Sequence, residues 1–394
     1  MHKTTAVLLV FVMAASGVAA LFPAKAEPKT ITVPDDYPTI QAAINNASAG
    51  DTVFVKNGIY YTPFGIGIDV DKPLSLIGEN SKETVIVGVP SRYGENKVIQ
   101  IDADNVVISG FTIRDDWIGI DIGSSRCKLA GNNIVNNTNT GIIMERESNV
   151  ISGNNITESG WYGIYITSSN SLVSENNITG SGSAGIIVDN CKNATITGNS
   201  ITGNGVDENG PIEDRGGIFL RWAGPFYVYG NNVTDNRGYA IQFGEGCANT
   251  IVHNNNVARN SIGINLLNFP IEGDAIIGTG NVAYYNNLVD NSQNAHVEHA
   301  YYYNISDIRN GTDIVSWDNG FVGNYWSDYN SQGAYVIDEN NIDHHPLTQQ
   351  VDISTTAPAG STNLLTITII VVAVVGVVAV VAVGILVYFK KRKH

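Results

Sequence analysis

The sequence predicts an all-β solenoid in which short strands stack in successive turns. A block of about 22 residues repeats along the middle of the chain, and each block holds three short apolar alternations with a period of two. Helical spacing is absent from the blocks. Strands this short are stable only when they stack on copies above and below. The predicted fold class is therefore a right-handed parallel β-helix with three short strands per turn.

Two registers of the repeat define its turns. The first places a small or polar residue before an Asn-rich pair, at Gly131, Gly153, Glu175, Gly198, Gly230 and Asn254. The second places a small residue before an apolar-x-apolar strand, at Gly119, Gly141, Gly163, Gly185, Gly217, Ala240 and Gly263. The longer step from Gly185 to Gly217 indicates an insertion of about ten residues, between Gly203 and Gly216. Equivalent Asn side chains in coils about 4.8 Å apart can hydrogen-bond along the axis, so we expect these columns to be structural.

The two ends of the chain predict export and membrane anchoring. Residues 1–26 combine Lys3, an apolar run and the small-x-small pattern Ala24-Lys25-Ala26, which is typical of a secretory signal. An uncharged run begins at Leu364, ends at Phe389 and is long enough for one transmembrane helix. The basic tail at 390–394 predicts that the C-terminus is cytoplasmic. The ectodomain at 27–352 would then be extracellular, on a Ser/Thr/Pro stalk at 353–363.

Charge and cysteine content exclude some partners. The chain has 37 acidic and 22 basic residues, and all the acidic residues lie in the predicted ectodomain. Such a surface repels nucleic acid, so we expect no nucleic-acid partner. Cys127, Cys191 and Cys247 lie in different turns, and the closest pair is two coils apart, so we expect buried free thiols. Surface glycosylation is an expectation from the sequons at Asn46, Asn136, Asn155, Asn177, Asn193, Asn232, Asn304 and Asn310.

Two segments carry a family resemblance. Residues 31–79, which begin ITVPDDYPTIQAAINN, resemble the N-terminal cap of pectin-lyase-like β-helices, with a helix from about Pro38 to Ala47. The Asn-Asn-Ile repeats and the late segment GNYWSDY at 323–329 resemble NosD-like repeat proteins. The resemblance covers about residues 31–347 and implies the fold. It leaves activity open, because this superfamily includes polysaccharide lyases, hydrolases, esterases and a copper-maturation accessory protein.

The sequence departs from two enzyme subfamilies of that superfamily. The segment GIYYT at 58–62 resembles the Gly-x-Tyr-x-Glu motif of pectin methylesterases, with Thr62 in place of Glu. The segment DDWIGIDI at 115–122 resembles the acidic strand of polygalacturonases, but their Gly-His-Gly and Arg-Ile-Lys motifs are missing. Both assignments are therefore disfavoured.

One column of the solenoid predicts a binding face. The x residue of each apolar-x-apolar strand should point outward, which gives the column Asp121, Ile143, Tyr165, Ile187, Phe219, Gln242 and Asn265. Exposed aromatic side chains in a line suit stacking on sugar rings. The leading hypothesis is a non-catalytic, membrane-anchored surface protein that binds glycans. Its predicted binding residues are Trp117, Trp161, Tyr162, Tyr165, Phe219 and Trp222.

Charged residues beside this column leave an enzymatic alternative open. Asp189, Asp214, Arg215 and Arg221 could serve a polysaccharide lyase or hydrolase. An arginine would neutralise a uronate, and the carboxylates would transfer protons. The structural alternative is that Asp189 and Arg221, which share a column on adjacent turns, form an ion pair. The sequence does not decide between the two.

Metal binding is a further alternative. Imidazole suits copper, and the chain has two histidine pairs, His296 with His299 and His344 with His345. The NosD resemblance makes copper handling the function that these pairs would serve. Carboxylates of the insertion, Asp207 and Asp214 among them, could instead supply oxygen ligands to calcium.

Overall fold

The computed structural model describes residues 27–63, 67–89, 96–207, 214–268, 280–299 and 315–353. These residues form a parallel β-helix with three sheets along its length. Consecutive strands of the chain lie in different sheets, and each strand pairs in parallel with its equivalent one coil away. The predicted all-β solenoid with three short strands per turn is confirmed.

Sheet 1 has twelve described strands. They are β1 Thr30–Val33, β2 Thr52–Val55, β5 Ser75–Gly78, β8 Val107–Ser109, β11 Lys128–Ala130, β14 Val150–Ser152, β17 Leu172–Ser174, β20 Ala194–Thr197, β23 Phe226–Tyr229, β26 Ile251–His253, β29 Asn281–Tyr284 and β32 Val315–Ser316.

Sheet 2 has eleven described strands. They are β3 Gly58–Tyr61, β6 Thr84–Val87, β9 Thr112–Arg114, β12 Asn133–Val135, β15 Asn155–Thr157, β18 Asn177–Thr179, β21 Ser200–Thr202, β24 Asn232–Thr234, β27 Asn256–Ala258, β30 Asn287–Val289 and β33 Tyr325–Trp326.

Sheet 3 has ten described strands, and a small antiparallel hairpin follows near the C-terminus. The strands of sheet 3 are β4 Ile68–Val70, β7 Lys97–Ile101, β10 Ile118–Ile122, β13 Thr140–Met144, β16 Tyr162–Ile166, β19 Ala184–Asp189, β22 Gly216–Arg221, β25 Tyr239–Phe243, β28 Ile262–Asn268 and β31 Gln293–His299. The hairpin consists of β34 Tyr335–Val336 and β35 Ile342–Asp343.

The predicted N-terminal helix is present as α1, Ile40–Asn46, and is shorter than expected at both ends. Thr39 is extended and its side-chain oxygen accepts a hydrogen bond from the Ala42 amide at 3.1 Å, so the helix begins after it. The helix buries Ile40 and Ile44 in the core and packs against β1, β2 and β4.

Stacked aliphatic side chains fill the interior. In sheet 2 the middle residue of each three-residue strand points inward, so Ile134, Ile156, Ile178 and Ile201 lie in one fully buried column. The insertion does not interrupt this stacking, because β19 pairs with β22 in register across it. Long insertions are tolerated when the chain leaves and re-enters the stack at the same coil. Residues 208–213 of the insertion lie outside the described residues.

The first Asn of each repeat forms an internal ladder between sheets 1 and 2. Each Asn side-chain nitrogen donates to the side-chain oxygen of the Asn one coil on, at 2.9 to 3.1 Å. The same oxygen also accepts from the backbone amide of the preceding Asn. The rungs are Asn132, Asn154, Asn176, Asn199, Asn231, Asn255, Asn286 and Asn324. The predicted structural role of this column is confirmed.

The backbone conformation before each rung explains why the repeat often has Gly at that position. Gly131 and Gly153 have φ of 66° and 62°, and Glu175 keeps φ at 57° in the equivalent place. A Cβ atom built on either glycine would meet nothing within 4 Å. Glycine is therefore favoured at this corner by its left-handed backbone and not by lack of space.

The ladder ends at Asn324. Its backbone amide, which in the other rungs donates to the next Asn, donates to the carboxylate of Asp343 at 2.7 Å. The indole of Trp326 donates to the same oxygen at 2.8 Å, and Asp343 is fully buried. Burial raises the pKa of the Asp343 carboxyl, and these hydrogen bonds oppose that rise. The segment after β33 thus supplies the hydrogen-bond acceptor for the last rung of the ladder, where no further Asn follows.

Several predictions about the chain's ends fall outside the described residues. They are the signal at 1–26, the stalk after 353, the transmembrane run at 364–389 and the basic tail, which stay predictions. In the part of the chain that the structure describes, no helix is long and apolar enough to cross a membrane. The three cysteines are buried and free, as expected.

A stack of three aromatic rings lies on the outer face of sheet 1. His253 lies between Tyr229 and Tyr284, with ring centroids 5.2 and 5.4 Å away. The three residues occupy equivalent positions in adjacent coils. Burial lowers the pKa of His253 to about 4, so the imidazole is neutral at pH 7.

Replacing a rung of the ladder should destabilise the fold. Asn176→Ala removes hydrogen bonds to the Ile151 carbonyl and to Asn199, and leaves Asn154 without its acceptor. We expect a loss of about 3 kcal/mol or more in the free energy of unfolding, because several buried polar groups lose partners. Urea denaturation measures it. Asn177→Ala, at the exposed next position, is the matched control and should cost less than about 0.5 kcal/mol; equal losses would contradict the ladder's role.

Acidification should destabilise the fold through His253. The folded-state pKa is about 4 and lies below the ordinary value of about 6.5, so the unfolded state binds more protons between these values. Stability should fall as the pH falls from about 6.5 to about 4, by on the order of 3 kcal/mol. His253→Phe keeps the ring stack and should remove this part of the pH dependence. Melting temperatures of both proteins at pH 7 and pH 4.5 test it, and identical pH profiles would contradict it.

Candidate functional site

The candidate site lies on the outer face of sheet 3, on three adjacent coils. Strands β16, β19 and β22 pair in parallel, and the register places Tyr165 beside Ile187 and Ile187 beside Phe219. The same register places Asp189 directly beside Arg221. The stacking of the coils therefore brings together side chains that are up to about sixty residues apart in sequence.

Two tyrosines, two aspartates and one arginine form a hydrogen-bonded network. The Tyr165 hydroxyl donates to Asp189 Oδ2 at 3.0 Å, and Arg221 Nη2 donates to the same oxygen at 3.0 Å. The Tyr162 hydroxyl donates to Asp214 Oδ2 at 2.9 Å. Arg221 Nη1 lies 3.7 Å from Asp214 Oδ1. Arg221 thus joins the two carboxylates, and the ion pair expected from the shared column of Asp189 and Arg221 is present.

Burial and charge hold these groups in fixed protonation states. Burial raises the pKa of Tyr162, and the adjacent Asp214 raises it further. The pKa of Tyr165 is raised in the same way by burial and by Asp189. Burial alone would lower the pKa of Arg221, but Asp189 and Asp214 more than offset this and raise it. At neutral pH the phenols are therefore neutral donors and the guanidinium is charged.

Aromatic rings border this network. The Tyr162 and Tyr165 rings are 5.7 Å apart and tilted, and Trp161 contacts Tyr162 edge to face at 6.2 Å. Trp161 is about half exposed, at 49%. Trp117 occupies the same corner two coils earlier, because backbone hydrogen bonds run from Trp161 to Asn139 and from Asn139 to Trp117. Two coils separate the tryptophans by roughly 10 Å.

The expectation that the whole column is exposed is wrong. Phe219 is 5% exposed and Ile187 is fully buried, although both point away from the solenoid interior. The Arg221 guanidinium covers the Phe219 ring at 5.3 Å. The Gly244 backbone also approaches so closely that a Cβ there would lie 2.4 Å from the ring. Phe219 therefore packs against the Arg221 guanidinium of the network and offers no surface for stacking on a sugar.

The remaining predicted site residues have different surroundings. Trp222 is 37% exposed, has a left-handed backbone with φ of 53° and packs against Gly246. Arg215 is half-buried, and its backbone carbonyl accepts from the Tyr239 amide in the next coil. Asp214 and Arg215 line a shallow surface depression together with Phe219 and Gln242. Asp214 is thus a member of the predicted catalytic set that belongs to the network and also lines this depression.

Two buried amides, one of which lines this depression, were not predicted as site residues. Gln242 is 1% exposed, and its Nε2 has no hydrogen-bond partner among the described residues. Asn265, in register with it on the next coil, is fully buried, and within the same described ranges its Oδ1 and Nδ2 have no partner either. Unpaired buried polar groups are costly and rare. The sequence placed both in the outward column but gave no sign of burial.

The two histidine pairs lie on different elements. His296 lies on β31 beside Asn265, and His299 ends the same strand three residues later. The His345 ring lies 3.4 Å from the Asp318 carboxylate, near the end of the ladder, and the His344 amide donates to Asp318. Within the described ranges, no three His, Cys, Asp or Glu side chains gather as a metal site would require. Copper and calcium binding stay predictions.

The geometry limits the chemistry of the network. A lyase needs an arginine or cation whose charge is available to a uronate, but Arg221 already pairs with two carboxylates. Both carboxylates in turn accept hydrogen bonds from phenols. What remains available is a rigid rim of hydroxyl and carboxylate oxygens beside a half-exposed indole. Such a rim can hydrogen-bond to hydroxyl groups, and the indole can stack on an apolar ring face.

By its fold, the chain is a right-handed parallel β-helix protein. Two family models match it, "Right handed beta helix region" over residues 140–302 and "Periplasmic copper-binding protein (NosD)" over residues 44–210. The predicted resemblance to NosD-like and pectin-lyase-like β-helices is confirmed by these matches. No curated protein sequence matches the chain.

Solved structures show the same fold. Pectate lyase Pel9A is 14% identical with a TM-score of 0.54, over 75% of this chain and 82% of that one. Tailspike protein 2 of an Escherichia coli O157:H7 bacteriophage is 13% identical with a TM-score of 0.50, over 71% of this chain and 42% of that one. At these identities the likeness establishes architecture and not activity.

Removing the unpaired amide of Asn265 should stabilise the protein. Asn265→Leu is close in volume and replaces two buried polar atoms that have no partner in the part of the chain that the structure describes. We expect the free energy of unfolding to rise by about 1 kcal/mol. The control is Asn260→Leu. The Asn260 amide donates to the Val233 and Ala258 carbonyls and to Asn291, so its replacement should destabilise the protein. Thermal melts compare the two variants. A loss of stability in Asn265→Leu would show that its amide is paired in solution.

Proposed function

We propose that this protein binds a polysaccharide on the outer face of sheet 3 and does not cleave it. The observation that carries the proposal is the half-exposed Trp161 beside a hydrogen-bonded rim of Tyr162, Tyr165, Asp189 and Asp214. An indole held against the Tyr162 ring loses little conformational freedom when a sugar stacks on it. The fixed oxygens beside it give the hydroxyl groups of that sugar defined partners.

The charge of the site favours a neutral glycan over a uronic-acid polymer. Asp189 and Asp214 share the single positive charge of Arg221, so this network has a net charge of about −1 at neutral pH. The whole chain has a formal net charge of −15. A polyanion would be repelled by the network and by the surrounding surface. A neutral polysaccharide avoids that cost.

The shared architecture supports a polysaccharide as the ligand but not its charge. A pectate lyase has the same fold, and its name assigns it a polysaccharide, although pectate is an acidic one. We also propose that the protein is displayed outside the cell, with residues 1–26 as an export signal and residues 364–389 as a membrane anchor. That arrangement would place the face of sheet 3 where surface glycans occur.

Trp161→Ala should abolish glycan retention without unfolding the protein. Truncation of a central aromatic anchor commonly costs at least about 2 kcal/mol of binding free energy, or roughly thirtyfold in affinity. The full-length protein and the variant are compared on an array of neutral and uronic-acid glycans. Phe321→Ala, which removes an 85% exposed ring near the C-terminal end of the solenoid, is the matched control and should retain binding.

The same array tests the enzymatic alternative. Appearance of unsaturated or reducing ends that depends on Asp214, and stops in Asp214→Asn, would replace the proposal with a lyase or hydrolase. Retention of uronic-acid polymers alone would contradict the charge argument. Equal retention by Trp161→Ala and the parent protein would show that the glycan binds to another face of the protein.

A further inference from the structure

Each of the three sheets has an end strand in the first coils of the solenoid. These end strands are β1 in sheet 1, β3 in sheet 2 and β4 in sheet 3. One side of an end strand has backbone N–H and C=O groups that no neighbouring strand pairs with. Such a row of groups is a template for another strand, and proteins commonly block it. The state of these three edges therefore indicates where a partner strand would bind.

Two of the three edges are closed by nearby residues. On β1, the Thr32 amide donates to the Asp36 carboxylate at 2.7 Å, and the Thr32 carbonyl accepts from the Asp36 amide at 2.8 Å. On β4, the Asp69 amide donates to Gln41 Oε1 at 2.8 Å, and Gln41 Nε2 donates to the Asp69 carbonyl at 3.1 Å. Asp36 and Gln41 thus take the backbone groups that an added strand would use.

The edge of β3 is open. The Gly58 amide donates to the Glu83 carbonyl at 2.9 Å, and the Thr62 amide donates to the last residue of β6 at 3.0 Å. Backbone groups alternate in direction along a strand, so those of Ile59 and Tyr61 point away from β6. In the part of the chain that the structure describes, nothing bonds to them. We call the backbone groups of Ile59 and Tyr61 the open edge.

The side chains next to the open edge are apolar and exposed. Ile59 is 59% exposed and Tyr61 is 70% exposed. Their register partners on β6 are Val85, which is half-buried, and Val87, which is 8% exposed. The difference arises because β6 has a strand on both sides, β3 and β9, whereas β3 has one neighbour. A strand added beside β3 would cover Ile59 and Tyr61 in the same way.

We propose that the open edge binds an extended segment of another protein, which adds one strand to sheet 2. Four backbone groups at strand spacing need a partner that is itself a strand. The exposed Ile59 and Tyr61 side chains select apolar residues at alternate positions of that segment. A parallel orientation continues the pairing of sheet 2, in which β3 and β6 are parallel.

Carboxylates at the start of β3 favour a basic residue at the N-terminal end of the segment. The Asn57 amide donates to the Glu79 carboxylate at 2.8 Å, and the Asn57 side chain donates to the Glu83 carboxylate at 2.9 Å. Both carboxylates therefore lie beside the residue that precedes β3. A lysine or arginine there would be attracted to them, and the acidic chain as a whole attracts a basic segment.

The N-terminal helix excludes a second copy of this chain as the occupant. Helix α1 contacts β1, β2 and β4, and its Gln41 bonds to the outer edge of β4, so α1 lies beyond the first strands of the stack. Pairing of β3 with the β3 of another copy would bring these two strands to about 4.8 Å. A helix is about 10 Å across, so the two α1 helices would collide. A single extended segment brings no such helix.

A synthetic peptide with the sequence Lys-Thr-Val-Thr-Val-Thr tests the proposal on the full-length protein. Its valines would lie beside Ile59 and Tyr61, and its lysine near the start of β3. We expect binding with a dissociation constant in the micromolar range, measured by the anisotropy of a fluorescein label. Hydrogen exchange locates the site: the amides of Ile59 and Tyr61 should exchange fast in the free protein and more slowly with the peptide.

Matched changes in the peptide and the protein separate strand pairing from adhesion to apolar residues. Methyl groups on the backbone nitrogens of the last two threonines remove the peptide donors that face β3, and should weaken binding more than about tenfold. Ile59→Pro removes one N–H of the open edge and no bond to β6, and should have a similar effect. Tyr61→Ala should weaken binding at least about threefold. Phe321→Ala, which removes an 85% exposed ring near the C-terminal end of the solenoid, should bind as the parent does.

Melting temperatures show which variants are folded, and Tyr61→Ala keeps the test valid if Ile59→Pro is not. Absence of binding up to about 1 mM peptide would overturn the proposal, as would equal binding of the methylated peptide. Slow exchange of the Ile59 and Tyr61 amides in the free protein would show that the edge is already occupied, and would also overturn it. None of these results depends on glycan binding, so the two proposals fail separately.

Discussion

The internal asparagine ladder is the interaction on which the rest of this structure depends. Each rung fixes the spacing of two coils, because its side chain bonds both to the next Asn and to a backbone carbonyl of the preceding coil. Asn176, for example, donates to Asn199 and to the Ile151 carbonyl, both at 3.0 Å. From Asn132 to Asn286, the residue before each rung has a left-handed backbone and turns the chain at the same place in each coil. Together they hold the strands of these coils in register.

That strict register produces the surface features. On sheet 3 it aligns Asp189 with Arg221 across an insertion of about ten residues, so the ion pair forms even though the chain between them is longer than in other coils. On sheet 1 it keeps the rings of Tyr229, His253 and Tyr284 stacked over three adjacent coils. A solenoid of this type converts a position in the sequence repeat into a row on the surface. Function on such a scaffold therefore depends on which residues occupy a row.

The candidate site shows how a rule that holds for the backbone can fail for a side chain. Alternation correctly placed Tyr165, Phe219 and Asn265 on the outer side of their strands, but outer position did not mean exposure. Arg221 and the Gly244 backbone cover Phe219, and Asn265 is fully buried. These contacts join residues of neighbouring coils and of the turns between strands, whose paths the repeat does not specify. The sequence therefore named all five members of the network and offered the Asp189–Arg221 ion pair. It did not indicate that Arg221 also approaches Asp214 or that the two tyrosines donate to the two aspartates.

The sequence by itself determined the solenoid, its three strands per turn, the inward aliphatic columns and the structural Asn ladder. It could do so because each of these follows from local rules, a period of two in the strands and a left-handed corner at a fixed place, repeated until stacking amplifies them. Only the tertiary structure decided that Arg221 is shared by two carboxylates, that Phe219 is covered and that Asp343 ends the ladder. It also decided that the Gln242 Nε2 and the Asn265 amide are buried with no hydrogen-bond partner among the described residues. Those outcomes depend on how side chains from different coils share space and hydrogen bonds, and a one-dimensional repeat contains no information about that sharing.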